Sequence, residues 1–163
     1  MDAESFSQKL SRHLRPGTVC RIRELNAASG TAARLTQMGI LPGMVVRVVR
    51  ASPWGGPLEL ALDSGQTIAL RPSEIHALVC DLIAWPLSTV VHPHGRWRVH
   101  AILGNRFQRR RLLSRGLEPG VELELEQLHP FRVRPAGNGE SFPINQGDAA
   151  RLIVEPAEAE LHG

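Results

Sequence analysis

The sequence has no tyrosine, and aromatic residues make up only 4% of its 163 positions. A core built from it must therefore be aliphatic, drawn from Leu, Val, Ile and Ala. Lysine is almost missing too: Lys9 is the single one, so the basic side of the charge balance is arginine. Cysteine is scarce. Cys20 and Cys80 form neither a C-x-x-C pair nor a disulfide framework. No long apolar run occurs. The most apolar region, "ALVCDLIAWPLSTVV", is broken by Asp81 and Pro86 and is too short for a membrane span. The N-terminal "MDAESFSQKLSRHL" has early acids and no apolar centre, which is not the pattern of a signal peptide. These absences set the expectation of a cytoplasmic chain with reduced thiols and no direct membrane insertion. No P-loop, G-x-S-x-G or paired-carboxylate pattern occurs, so no enzyme is expected.

What the chain does contain is a repeat. "MGILPGMVVRVVR" runs from Met38 to Arg50, and "RGLEPGVELELEQ" runs from Arg115 to Gln127, 77 positions later. The register continues without a gap from Leu10/Leu87 to Trp54/Phe131, through Arg21/Arg98, Arg34/Arg111 and Leu35/Leu112. After a short deletion the offset becomes 74, pairing Gly65 with Gly139, Leu70 with Ile144 and Leu78 with Leu152. Two copies form a tandem pair rather than a solenoid. The expected organisation is a tail at 1–9, a first domain at 10–84, a second at 85–156 and a tail at 157–163.

Within each copy the hydrophobic period is mostly two. Leu58, Leu60 and Leu62 alternate with Glu59, Ala61 and Asp63, and Leu123 and Leu125 alternate with Glu122, Glu124 and Glu126. This describes strands with one buried and one wet face. One segment per copy differs. "SGTAARLTQMG" places Leu35 and Met38 three apart on one helix face, and "NRFQRRRLLSRG" carries Phe107, Leu112 and Leu113. Gly39 fits a helix C-terminal cap. Pro42 and Gly43 then fit the two central positions of a type II turn, and Pro119 and Gly120 repeat them. Each copy is expected to be a small, mainly β barrel with a short helix before a helix–turn–strand corner.

Three motifs in order carry a family resemblance: M-G-I-x-P-G at Met38 to Gly43, S-P-W-G-G-P at Ser52 to Pro57, and A-L-R-x-x-E at Ala69 to Glu74. Together with the opening "LSRHLRPGTVCRIREL", residues 10 to 82 resemble the FeoA domain, the small cytosolic partner of the bacterial ferrous iron permease FeoB. The second copy is similar but divergent. It has Arg115 in place of Met, "HPFRVRP" in place of the G-G-P loop, and "PINQGDA" in place of "ALRPSEI". The resemblance implies two tandem SH3-like barrels and a non-catalytic role in ferrous iron uptake through binding the cytosolic region of a FeoB-type permease. It implies a partner surface on the first copy, formed by Leu35, Met38, Gly39, Pro42 and Gly43 with Trp54, Gly55, Gly56 and Pro57. A related domain in DtxR-type repressors gives the alternative of a metal-responsive regulatory module. That alternative lacks a helix-turn-helix here.

Iron makes the histidines worth testing. His92 and His94 sit in a Pro/Gly turn and His100 on the polar face of the next strand, with no acid or Cys spaced to complete a ligand set. The expectation is no metal site and no cofactor, weak binding of Fe(II) or another transition metal being the alternative. Cys20 and Cys80 fall on the first and last strands of one barrel, where both fit the core. Trp54 is either a lid folded onto the core or an exposed binding anchor. Arg106, Arg109, Arg110, Arg111 and Arg115 form the only basic run, partly balanced by Glu122, Glu124 and Glu126. Its readings are a solvated face, or a surface for an acidic partner or for nucleic-acid phosphate. Without interleaved exposed aromatics, nucleic acid is the disfavoured partner.

Overall fold

Leu58, Leu60 and Leu62 are buried while Glu59 and Ala61 between them are half-exposed, so the period of two does what it predicts: it builds a strand with one face in a core. The structure is a computed structural model that describes residues 15–26, 28–52, 56–137 and 139–157. It divides into two units, Met1–Ile83 and Ala84–Gly163.

The first unit contains β1 (Val19–Leu25), α1 (Ser29–Gln37), β2 (Val45–Ala51), β3 (Leu58–Leu62), β4 (Thr67–Leu70), α2 (Pro72–Ile75) and the first part of β5 (Leu78–Pro86). Its strand order is β4-β3-β2-β1-β5. In the second unit, Trp85 and Pro86 of β5 precede a 3₁₀ turn (Leu87–Thr89), β6 (Gly95–Ile102), α3 (Arg106–Leu113), β7 (Glu122–Leu128), β8 (Phe131–Pro135), β9 (Phe142–Ile144), α4 (Gln146–Arg151) and β10 (Leu152–Pro156). The order β9-β8-β7-β6-β10 repeats the first unit's. Each unit is a small, mainly β, SH3-like barrel with a short helix between its first two long strands, as the sequence predicts. Even the ladder irregularity repeats. The β2–β3 register slips between Val48 and Arg50, and the β7–β8 register slips between Leu125 and Gln127. A bulge at the same place in both copies bends the long strand equivalently.

The cores are aliphatic. Ile22, Leu35, Ile40, Leu60, Leu70 and Leu78 are fully buried in the first unit. Leu87, Leu112, Leu117, Leu123, Leu125 and Leu152 are fully buried in the second. Each such side chain contributes roughly 1.5–3 kcal/mol through the water it leaves. Phe131 is the one ring at the centre of the second core. Cys20 and Cys80 are both buried in the first, as free thiols.

Candidate interaction surface

The corner is built identically in both units. At the end of α1, Gly39 takes φ +97°. Its N–H donates to Thr36 O (3.0 Å), and the N–H of Ile40 donates to Leu35 O (3.0 Å). This is a Schellman cap, and the buried pair Leu35 and Ile40 supplies its apolar contact. Next, Leu41-Pro42-Gly43-Met44 turns with Gly43 at φ +92° and the Met44 N–H donating to Leu41 O (3.2 Å). These are the marks of a type II turn. The turn is tied to β1, because Gly43 N–H donates to Ile22 O (2.6 Å) and Ile22 N–H donates to Met44 O (2.8 Å). In the second unit Gly116, Leu117, Gly120, Val121 and Val99 make the same bonds.

What differs is the face each corner shows. In the first unit Leu41 is 48% exposed, Pro42 and Gly43 are exposed, and Met38 is half-buried against the core. At the equivalent places the second unit has Glu118 and Arg115, both exposed. Arg115 lies over the Phe142 ring, 4.8 Å from its centroid. One corner is therefore apolar and the other charged.

Two expectations about this surface need correction. Leu35 is completely buried, so it holds the helix to the core and touches no partner. Its replacement on the surface is Leu41, which the sequence reading passed over. The signal was there in Leu41/Glu118, an apolar residue against a charge at one position of the repeat. The described part of the G-G-P loop, Gly56 and Pro57, also lies apart from the corner. The corner precedes β2 and these two residues follow it, so the seven residues of that strand separate them by roughly 20 Å at about 3.3 Å per residue. In the loop, Pro57 is exposed. A Cβ added at Gly56 would lie 2.9 Å from Ser52 Oγ, so a larger residue here would require the Ser52 side chain to shift. Trp54 and Gly55 lie outside the described residues.

A second paired feature was not foreseen. Glu74 on α2 is buried, and its Oε2 lies 3.2 Å from Arg34 Nε on α1. Its Oε1 also accepts the N–H of Arg71, capping α2. In the second unit Asp148 on α4 is likewise buried. It accepts from Arg111 Nε (3.0 Å), Arg111 Nη2 (2.6 Å) and Arg151 Nη1 (2.9 Å). The carboxylate holds the Arg111 guanidinium even further above its ordinary pKa. Arg34/Arg111 was visible in the repeat, but its acidic partner arrives at the other offset and in a different residue type.

The thiol of Cys80 is pushed far up, first by its hydrogen bond with Cys20 and then by burial. A neutral buried thiol is a core group, not a ready metal ligand. His92 and His94 are exposed, and His100 Nδ1 lies 3.7 Å from Glu155 Oε2. Among the described residues, no group of three or more His, Cys, Asp or Glu is placed to hold a metal ion. No described helix is long and apolar enough to cross a membrane.

A model of the FeoA domain family matches residues 9–81. The crystal structure of an iron uptake regulatory protein, FeoA, is 32% identical over 45% of this chain and 97% of its own, with a TM-score of 0.41. The chain belongs to the FeoA family. A protein from Pseudomonas aeruginosa is 32% identical, over 41% of this chain and 91% of its own, with a TM-score of 0.36. The iron(II) transport protein A of Clostridium thermocellum is 22% identical over 89% of this chain and 86% of its own, with a TM-score of 0.43. A search of curated proteins found no match. The FeoA match lies within the first unit, whose corner is the apolar one. The family is one associated with ferrous iron transport.

Proposed function

We propose that the chain is a non-catalytic, cytoplasmic accessory protein of ferrous iron uptake that docks onto the cytosolic region of a FeoB-type permease. The observation that carries this reading is the apolar corner of the unit matched by the family. Leu41 projects where the fold needs no apolar group, since the second unit makes the same turn with Glu118, and the exposed turn proline Pro42 sits beside it. Exposed apolar residues held on a rigid turn bind at small conformational cost. Met38 extends the patch, while Gly39 and Gly43 shape it. Gly56 and Pro57, at the far end of β2, belong to a second contact, to which the resemblance also assigns Trp54 and Gly55. The direct test is capture of the host's FeoB cytosolic region by the purified full chain, compared with the Leu41→Glu variant. Capture by the parent protein and its loss in the variant supports docking through the corner. Absence of capture, together with normal ferrous uptake in a deletion strain, would end this proposal.

A further inference from the structure

The second unit carries an exposed feature that its fold does not require. Phe107, on α3, is 80% exposed. Of the three apolar residues on this helix, only Leu112 is buried and Leu113 is half-buried. Around it, Arg106, Arg109 and Arg110 are all exposed and make no ion pair among the described residues. The acids expected to balance them do not: Glu126 pairs with Arg134 at 2.9 Å, and neither Glu122 nor Glu124 pairs with α3. The helix has no acid in its first turn.

The first unit serves as an internal control. At the places of Arg106, Phe107, Arg109 and Arg110, α1 has Ser29, Gly30, Ala32 and Ala33. Only Arg34/Arg111 and Leu35/Leu112 are shared, and these are the residues that hold the helix by ion pair and core contact. The surplus residues are also unfavourable by themselves. Like charges at i,i+3 and i,i+4 repel, and cations at a helix N-terminus oppose its dipole. An exposed phenyl ring adds nothing to stability.

We infer that the outer face of α3 is a docking surface for a short acidic protein segment bearing an apolar residue, which sits on Phe107 while its carboxylates pair with Arg106, Arg109 and Arg110. This goes beyond the corner of the first unit and uses different residues. Arginine's planar fork matches carboxylates, and an aromatic ringed by arginine is a typical interface anchor. The size of the patch decides the partner class. Arg106 to Arg110 spans only about 6 Å along the helix axis at 1.5 Å per residue. That accommodates two or three carboxylates. A single nucleic-acid strand would require a longer basic groove with several stacking rings. An anionic membrane would require a broader apolar face than one ring.

The test uses the full chain and the fluorophore-labelled peptide acetyl-Glu-Glu-Leu-Glu-Glu-amide, read by anisotropy at low salt. Binding should weaken about tenfold in Phe107→Ala. It should be lost in the Arg109→Ala/Arg110→Ala double variant, which copies the residues of α1 and should melt no lower than the parent. Replacing the peptide's Leu by Ala should reproduce the Phe107→Ala loss, and Leu41→Glu should change nothing. The inference is overturned if the peptide does not bind, or if both variants bind it as the parent does. It is equally overturned if oligothymidylate or phosphatidylserine vesicles bind this face and the peptide does not.

Discussion

Arg111 grips Asp148 with two parallel hydrogen bonds, and one repeat earlier Arg34 forms an ion pair with Glu74, Nε to Oε2 at 3.2 Å. In both units a buried acid on the last helix anchors the helix that leads into the corner. The acid is the costly partner to disturb, because it is the buried one and its arginine is half in water. Asp148→Asn should destabilise the second unit by about 1–3 kcal/mol, since it weakens three charge-assisted bonds in a buried place. Urea denaturation followed by circular dichroism checks this. An unchanged midpoint would show that the pair is ornamental.

The Schellman caps make a second prediction. Gly39 and Gly116 both hold positive φ, a conformation that costs a residue with a Cβ about 1–2 kcal/mol. Space is not the obstacle at Gly39, where an added Cβ would meet Leu62 at an ordinary 3.6 Å. Gly39→Ala should therefore lower stability by about 1 kcal/mol through backbone strain alone, and Gly116→Ala should match it. Asn at either position should recover part of the loss, because it tolerates this region better than Ala.

Leu35 and Leu41 should separate cleanly. Leu35→Ala opens a cavity in a closed core and should cost about 2–5 kcal/mol. Leu41→Ala should leave thermal stability within about 0.5 kcal/mol, yet weaken capture of the permease's cytosolic region. A Leu41→Ala protein that melts early would place that side chain with the core instead.

Cys80 yields a pH prediction. Its folded pKa is raised, while the unfolded thiol titrates near roughly pH 8.5. The unfolded chain thus loses its proton first. The contribution is whole below that pH and declines as pH rises above it. Stability should fall from about pH 8.5 upward, and Cys80→Ser should flatten that part of the profile. Native protein at pH 8 should resist iodoacetamide at both cysteines, and denatured protein should react at both.

Much of this was legible in the sequence where the cause is local. Pro42 presets one turn dihedral and Gly43 permits the next, so the corner follows from adjacent residues. Leu58, Leu60 and Leu62 alternate because a strand has two faces. The placement of Cys20 and Cys80 on neighbouring core strands followed from the same pattern. Arg34 with Glu74, forty positions apart, did not. Only folding brings α1 and α2 together, and the two acids differ in length and offset.

The sequence by itself determined the repeat, the strand alternation and the helix–turn–strand corner, because each depends on backbone preferences within a few residues. Tertiary structure alone decided which apolar residues stay in water. Leu35 and Leu41, or Leu112 and Phe107, are equally apolar when read in order along the chain. Their fates differ because helix and turn present several faces and a barrel core covers only one of them. On the uncovered faces it left Leu41 in one unit and Phe107 among its arginines in the other.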